Sequence, residues 1–307
     1  MKNNSIIIGT RGSKLALWQA QQVKERITAA FPHLSVSIQT IKTKGDKILD
    51  VALSKIGDKG LFTKEIEIAL SNGEIDMAVH SLKDLSTELA DGLIIGGIMK
   101  REEVRDVLLS VKRNELSELN SNDRVATSSL RRKAQLLHFN PDIQVIDIRG
   151  NVETRINKMR DGYCDALIMA AAGIIRLGYQ NLIKECISPE IIMPAVAQGA
   201  IAVEIREDDD KIRHIADSIT DETSWHVCMA ERAFLRALEG GCQVPVGCYC
   251  EIRNNNIRIS GMVAKTDGSL KITKYTDCSL EEVSEKAIEL AETILNEGGR
   301  KILINDY

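Results

Sequence analysis

The sequence predicts an α/β protein of two lobes, followed by a small α+β domain with an antiparallel sheet. Three observations carry this expectation. Short apolar runs alternate with helix-spaced segments from residue 6 to about residue 205. The strand-and-helix pattern restarts after about residue 100. The last third replaces it with a long helix, three strand-like segments and a terminal helix. A chain of 307 residues is long enough for more than one core.

Residues 6–8 read as a buried strand stopping at Gly9. After Ser13, apolar residues recur at Leu17, Ala20, Val23, Ile27 and Ala30, the spacing of one helix face, and Pro32 closes the helix. Residues 36–41 alternate like a strand. A lysine- and glycine-rich loop over 42–60 leads to a helix near 65–70 that ends at Asn72-Gly73. Residues 75–79 form a strand whose end delivers His80-Ser81-Leu82-Lys83-Asp84. In the second lobe, 106–111 is strand-like, and Val125-Ala126 leads into Thr127-Ser128-Ser129 at a helix start. The strand 143–148 ends in Arg149-Gly150-Asn151, and the strand 166–171 ends in Ala172-Gly173.

Residues 96–101 and 194–199 are the expected crossings between lobes, with 200–205 a strand returned to the first. The expected domains are therefore a discontinuous first lobe, 1–98 with 199–217, a second lobe, 99–198, and a C-terminal domain, 218–307. In the last, a helix over 223–238 ends at Gly240-Gly241. Three strand segments are separated by Asn254-Asn255-Asn256 and Asp267-Gly268. Ser279 with Glu282 predicts a capping box for a helix bearing Val283, Ala287, Leu290 and Ile294, and Gly298-Gly299 ends it.

Composition narrows the function. Apolar residues are 44% and charged residues 27%, an ordinary globular balance. No run is long enough to cross a bilayer, and the apolar run at 6–8 is too short for a secretion signal, so a cytoplasmic protein is expected. A net charge of −4 argues against a general polyanion binder, and the few aromatic residues offer no stacking platform for nucleic acid. Seven cysteines in no regular framework suit a reducing compartment. Cys164, Cys186, Cys228 and Cys278 read as buried inert thiols. Cys242, Cys248 and Cys250 match no zinc spacing and have no histidine near them, so no metal is expected.

In open α/β sheets, ligands bind beyond the carboxyl ends of the strands. Five such ends carry polar or basic groups: Thr10-Arg11-Gly12-Ser13, Ser81-Leu82-Lys83-Asp84, Thr127-Ser128-Ser129-Leu130-Arg131-Arg132, Arg149-Gly150-Asn151, and the segment 173–176 ending in Arg176. Hydroxyls and free N–H groups at helix starts receive anions, and arginine forks bind carboxylates in parallel pairs. One such end is more often a simple N-cap. Five at equivalent positions point to a ligand with several carboxylates or phosphates.

Asp84 could stabilise a developing cation or move a proton, or be a capping or ion-paired aspartate. Lys55 and Lys59 could form a cationic cover or simply a solvated loop. Cys242 follows two glycines, which place its thiol on a loop; it could be an attachment point, although such a cysteine alone is more often an ordinary turn residue.

Read together, these segments resemble the porphobilinogen deaminase family along nearly the whole chain. The resemblance runs through Gly9-Thr10-Arg11-Gly12-Ser13, Lys59-Gly60-Leu61-Phe62 with Lys64-Glu65, and His80-Ser81-Leu82-Lys83-Asp84. It continues through Thr127-Ser128-Ser129-Leu130-Arg131-Arg132, Arg149-Gly150-Asn151-Val152 with Thr154-Arg155, and Gln198-Gly199-Ala200. Its most specific part is Glu231-Arg232-Ala233-Phe234-Leu235 with Glu239-Gly240-Gly241-Cys242-Gln243-Val244-Pro245.

The resemblance implies two lobes like those of periplasmic binding proteins and a third domain carrying a cofactor cysteine. It implies a monomeric cytoplasmic transferase of haem biosynthesis that joins four porphobilinogen molecules, with loss of ammonia, into hydroxymethylbilane. The primer implied is dipyrromethane, attached by a thioether to Cys242. Asp84 falls at the catalytic aspartate. Lys83, Thr127, Ser128, Ser129, Arg131 and Arg132 fall at cofactor contacts, and Arg11, Ser13, Lys59, Arg149, Arg155 and Arg176 at substrate contacts. The sequence departs from the family pattern at Ser86, after Leu85, and at Lys14, both positions where proline is common; neither change removes a functional group. A two-lobed solute-binding protein without catalysis would use the same loops but gives Cys242 and Asp84 no purpose.

Overall fold

The computed structural model describes residues 4–47, 61–238, 245–254 and 256–305. The chain divides into two compact units, one of residues 1–49, 58–102 and 199–225, the other of residues 50–57, 103–198 and 226–307.

The first unit is built on a five-stranded mixed sheet in the order β2-β1-β3-β10-β4. Its strands are β1 (Ser5–Thr10), β2 (Ser35–Thr40), β3 (Met77–Ser81), β4 (Leu93–Ile98) and β10 (Ile201–Arg206). β1 runs parallel to β2 and β3, and β10 is antiparallel to β3 and β4. The return of the chain to this sheet after the second lobe is as the sequence predicts. Helix α1 (Lys14–Ala30) buries Ala20, Val23 and Ile27 in one core with Ile6, Ile8, Met77 and Val203. Helix α2 (Lys64–Ser71) buries Ile66 and Leu70 in a second cluster with Ile75 and Ala78. Sheet faces covered in this way explain why the strands read as near-continuous apolar runs.

One element of this sheet departs from the sequence reading. Residues 96–101 are expected as a crossing, yet β4 runs through Gly96 and Gly97. A Cβ on Gly97 would lie 2.6 Å from Thr220 Oγ1 and 2.8 Å from the Ala216 carbonyl oxygen. Gly97 therefore marks the close approach of a neighbouring helix end, and Gly96 that of Ile205, whose Cδ1 would lie 2.6 Å from an added Cβ; neither breaks the strand.

The second unit repeats the arrangement, in the order β7-β6-β8-β5-β9. Its strands are β5 (Asp106–Ser110), β6 (Arg124–Ala126), β7 (Gln144–Ile146), β8 (Ala166–Ala170) and β9 (Ile183–Cys186). β6 is parallel to β7 and β8, whereas β5 is antiparallel to β8 and β9. The four-residue β9 has no counterpart in the sequence reading, and Cys186 at its end is exposed, unlike the buried Cys164, Cys228 and Cys278. Burial, with the Asp165 charge, pushes the Cys164 thiol up to about 11, so it is inert as expected. Helices α3 (Leu130–Phe139), α4 (Val152–Arg160) and α5 (Ala171–Arg176) follow β6, β7 and β8.

Helix α6 (Glu222–Ala237) precedes an antiparallel meander of β11 (Val246–Arg253), β12 (Asn256–Ala264) and β13 (Lys271–Cys278). Met262 and Ala264 of this sheet share a core cluster with Ala134 of α3 and Met193, which brings the C-terminal layer into the second unit. Helix α7 (Val283–Ile294) buries Val283, Ala287, Leu290 and Ile294, the predicted face. The capping box forms only in part. Glu282 accepts from the Ser279 N–H at 3.3 Å and from its hydroxyl at 2.9 Å, while Glu282 itself caps the helix without a side-chain bond. Gly298-Gly299 does not end the chain's helical course: Gly298 takes φ 114°, and a further turn follows over Arg300–Asn305.

Gly261 of β12 lies against Phe234, which is fully buried; a Cβ there would come within 2.4 Å of the ring. Gly261→Ala is expected to cost about 1–3 kcal/mol of stability through overpacking, measured by denaturant unfolding. The loss should shrink when Phe234→Leu is added.

Candidate functional site

The carboxyl ends of the parallel strands in each unit gather the residues singled out above. In the first unit, β1 and β3 are neighbours and end side by side at Thr10 and Ser81. Ser13 caps α1, its Oγ accepting from the Ala16 N–H at 3.3 Å. The Arg11 guanidinium lies 4.2 Å from the centre of the Phe62 ring, an arrangement that holds the cation by the ring's negative face. Beyond β3 the chain makes one 3-10 turn, Leu82–Asp84, pinned by the buried Leu82 and Leu85. The turn presents Asp84 to solvent and leaves Lys83 half-buried. Arg11, Ser13, Gln19, Phe62 and Asp84 line one pocket. Gln19 is fixed there by a 2.8 Å bond from its Nε2 to Ser81 Oγ. Lys14 is exposed, and Ser86 accepts from the Glu88 N–H at 3.3 Å, closing locally the turn in which the family pattern has proline.

His80 also lines this pocket, and its other contact is one that sequence reasoning missed: Nε2 lies 3.0 Å from Oε2 of the fully buried Glu204. The available signal was a lone glutamate inside the apolar run of β10.

In the second unit, α3, α4 and α5 start at the carboxyl ends of three adjacent parallel strands. Ser129 caps α3, accepting from the Arg132 N–H at 3.4 Å, and Asn151 caps α4, accepting from the Thr154 N–H at 2.9 Å. The neighbouring hydroxyls are engaged with backbone. Thr127 Oγ1 accepts from the Ser129 N–H at 3.3 Å, and Ser128 Oγ donates to the Ile148 carbonyl. These bonds lash the loop after β6 to that after β7. Arg149 is half-buried on this edge, and Arg155 Nε donates to the Gly150 carbonyl at 2.8 Å. Arg176 stands at the far end of α5 and not at the strand end itself.

Arg131 and Arg132 are only 5% and 7% exposed, and both face Asp106, the first residue of β5. Arg131 Nη2 donates to Asp106 Oδ2 at 2.8 Å, and Arg132 Nη2 donates to Oδ1 at 2.7 Å. Gln198 Nε2 adds a third bond at 2.8 Å. The arginines are further tied to carbonyls, Arg131 to Met193 and Arg132 to Ile168 at 3.1 Å. Arg132 Nε is buried and has no acceptor among the described residues. Burial alone would push the Asp106 carboxyl up; the charges and hydrogen bonds of the two guanidiniums outweigh it and hold the group well below the usual carboxylate range. Burial, with the like charge of Arg132, pulls Arg131 down against the pull of Asp106. Asp106 was not among the predicted site residues.

A second buried carboxylate braces the segment before Gln198. Glu231 Oε2 accepts from the Ala197 N–H at 2.7 Å, and its Oε1 accepts from the Cys250 N–H at 2.9 Å. Ala197 takes φ 57°, a left-handed conformation that an alanine holds only when its surroundings impose it. Cys242 and Lys59, like Lys55, lie outside the described residues. Among the described residues, no group of three or more His, Cys, Asp or Glu side chains is placed to hold a metal ion, and no helix is long and apolar enough to cross a membrane.

Residues 6–214 match the family model for the porphobilinogen deaminase dipyrromethane cofactor-binding domain, and residues 225–296 match that for the porphobilinogen deaminase C-terminal domain. The chain belongs to the porphobilinogen deaminase family. A porphobilinogen deaminase of Syntrophomonas wolfei is 50% identical over 296 residues, covering 96% of this chain and 97% of its own. One from Carboxydothermus hydrogenoformans is 50% identical over 298 residues, covering 97% of this chain and 96% of its own. Among solved structures, the methionine-binding protein MetQ aligns over 72% of this chain and 92% of its own at 14% identity, with a TM-score of 0.45. Family membership makes the chain an enzyme of tetrapyrrole biosynthesis with a dipyrromethane-binding domain.

The lowered pKa of Asp106 is a stability statement. Its contribution is complete above the unfolded-state value of about 3.9 and is lost as pH falls through the lower folded-state value. Asp106→Asn leaves two buried cations unbalanced and is expected to cost about 3–5 kcal/mol at neutral pH. Urea unfolding at pH 7 and at pH 3 should show the gap between wild type and variant narrowing in acid.

Proposed function

We propose that this chain joins four porphobilinogen molecules head to tail, with loss of four ammonia molecules, and that one water then releases hydroxymethylbilane by hydrolysis from a dipyrromethane primer held by a thioether to Cys242. In this reading it works as a cytoplasmic monomer, with no nucleic acid or membrane partner, and residues 218–307 form the domain that carries the primer. The observation that carries it is the gathering of basic and hydroxyl side chains at one end of each sheet, with Asp84 among them in the first unit.

Each porphobilinogen brings two carboxylates, so the lengthening product accumulates negative charge, and unpaired burial of that charge would be prohibitive. In this reading Arg149, Arg155 and Arg176 of the second unit serve the substrate's acids, as do Arg11, Ser13 and Lys59 of the first. Lys83, Thr127, Ser128, Ser129, Arg131 and Arg132 serve those of the primer. The fit is supported by the buried Arg132 Nε, a donor with no acceptor among the described residues. When bound, the primer supplies a tethered pyrrole ring as the nucleophile for each condensation.

Asp84 sits in the same pocket as Arg11 and Ser13, where a guanidinium can hold a substrate acid while the carboxylate faces the electron-poor carbon left as ammonia departs. Its charge favours that cation, and it can accept the proton released when the new carbon–carbon bond restores the ring. Phe62, with Arg11 against its face, closes the pocket's apolar side.

Intact-protein mass spectrometry of protein from a host able to make porphobilinogen should show the added mass of one dipyrromethane. That mass should vanish in Cys242→Ser; an unmodified, folded wild-type protein would defeat the proposal. Asp84→Ala should lower kcat about 10²–10⁴-fold while porphobilinogen still binds, measured by product formation and by equilibrium binding. Near-normal turnover in that variant would remove Asp84 from the chemistry.

A further inference from the structure

We propose that Asp106 is a positioning residue that sets the Arg131 and Arg132 guanidiniums for the primer's carboxylates, an inference that rests on the function proposed above. The geometry is that of a jig and not of a simple ion pair. One fully buried carboxylate spreads its two oxygens over both arginines, Oδ2 to Arg131 and Oδ1 to Arg132. The second oxygen is itself located by Gln198, whose Nε2 also donates to the Val104 carbonyl at 2.7 Å. Each guanidinium is then held at a second point by a carbonyl, that of Met193 or that of Ile168. Two points fix a planar fork in orientation as well as in place.

Two features of the cluster point to a ligand. The first is charge: two cations and one anion leave one positive charge buried, and the charged groups acting on Arg131, among the described residues, are Asp106 and Arg132. A cluster built for stability alone gains by neutrality, whereas a residual buried cation is compensated when an anion arrives. The second is Arg132 Nε, a donor in a side chain more than nine-tenths buried, with no acceptor among the described residues. A carboxylate received there would complete the arginine's hydrogen bonding and the charge balance together.

The test compares Asp106→Asn with Leu116→Ala, a cavity variant in the apolar cluster of Leu119, Val125 and Ile143. Both are produced in a host able to make porphobilinogen, and primer loading is read by intact mass at a temperature where circular dichroism shows both folded. Loading of Asp106→Asn is expected to fall at least tenfold below that of Leu116→Ala. Equal loading of the two would overturn the positioning role and leave the proposed function standing, whereas no added mass in wild type would overturn both. Should Asp106→Asn not fold, Asp106→Glu keeps the charge and shifts the two forks by one methylene. Loading below half of wild type then supports the role, and wild-type loading overturns it.

Discussion

Arg131 and Arg132 are consecutive in the first turn of α3 and both are buried, an arrangement that is possible only because Asp106 stands between their guanidiniums. Two like charges withdrawn from water together would cost several kcal/mol each without a counter-ion. The constraint reaches outward. It fixes where β5 begins, because Asp106 must lie opposite the end of β8, and the two strands pair at Asp106 and Ala170. It also fixes the segment before β10, because Gln198 must reach the same carboxylate.

The two sheets share a strand pattern of three parallel strands, one reversed strand and an edge strand. In both, the reversed strand starts at the edge where the parallel strands end: Ile201 opposite Ser81 in one, Asp106 opposite Ala170 in the other. The same rim therefore collects helix starts, with their free N–H groups, and the beginning of an opposing strand. A rim of this kind can be lined with cations while the rest of the surface stays acidic, which is how a chain of net charge −4 can serve a polyacidic product.

What could be read from the sequence was what is local. Ser13 and Ser129 announce the helices they cap, the apolar spacing of α1 and α7 names their buried faces, and the turn at Asp267-Gly268 separates β12 from β13. β4 was obscured because Gly96-Gly97 has the look of a break, and only the positions of Ile205 and Thr220, distant in sequence, reveal why side chains are excluded there. Asp106 and Glu204 were missed for a related reason. Their partners lie 25 and 26 residues away in one case and 124 in the other, and periodicity carries no record of such pairings. The arginines were legible as cations at a strand end; that one carboxylate would align both was not.

The brace formed by Glu231 bears on the chain that follows it. Its two oxygens hold the backbone at Ala197 and at Cys250, while three residues further along α6 the Phe234 ring is locked against Gly261. The end of α6 is thus fastened both to the segment before β10 and to the meander. A substitution at Glu231 therefore acts on two segments at once, the approach to β10 and the middle of β11, and not on α6 alone.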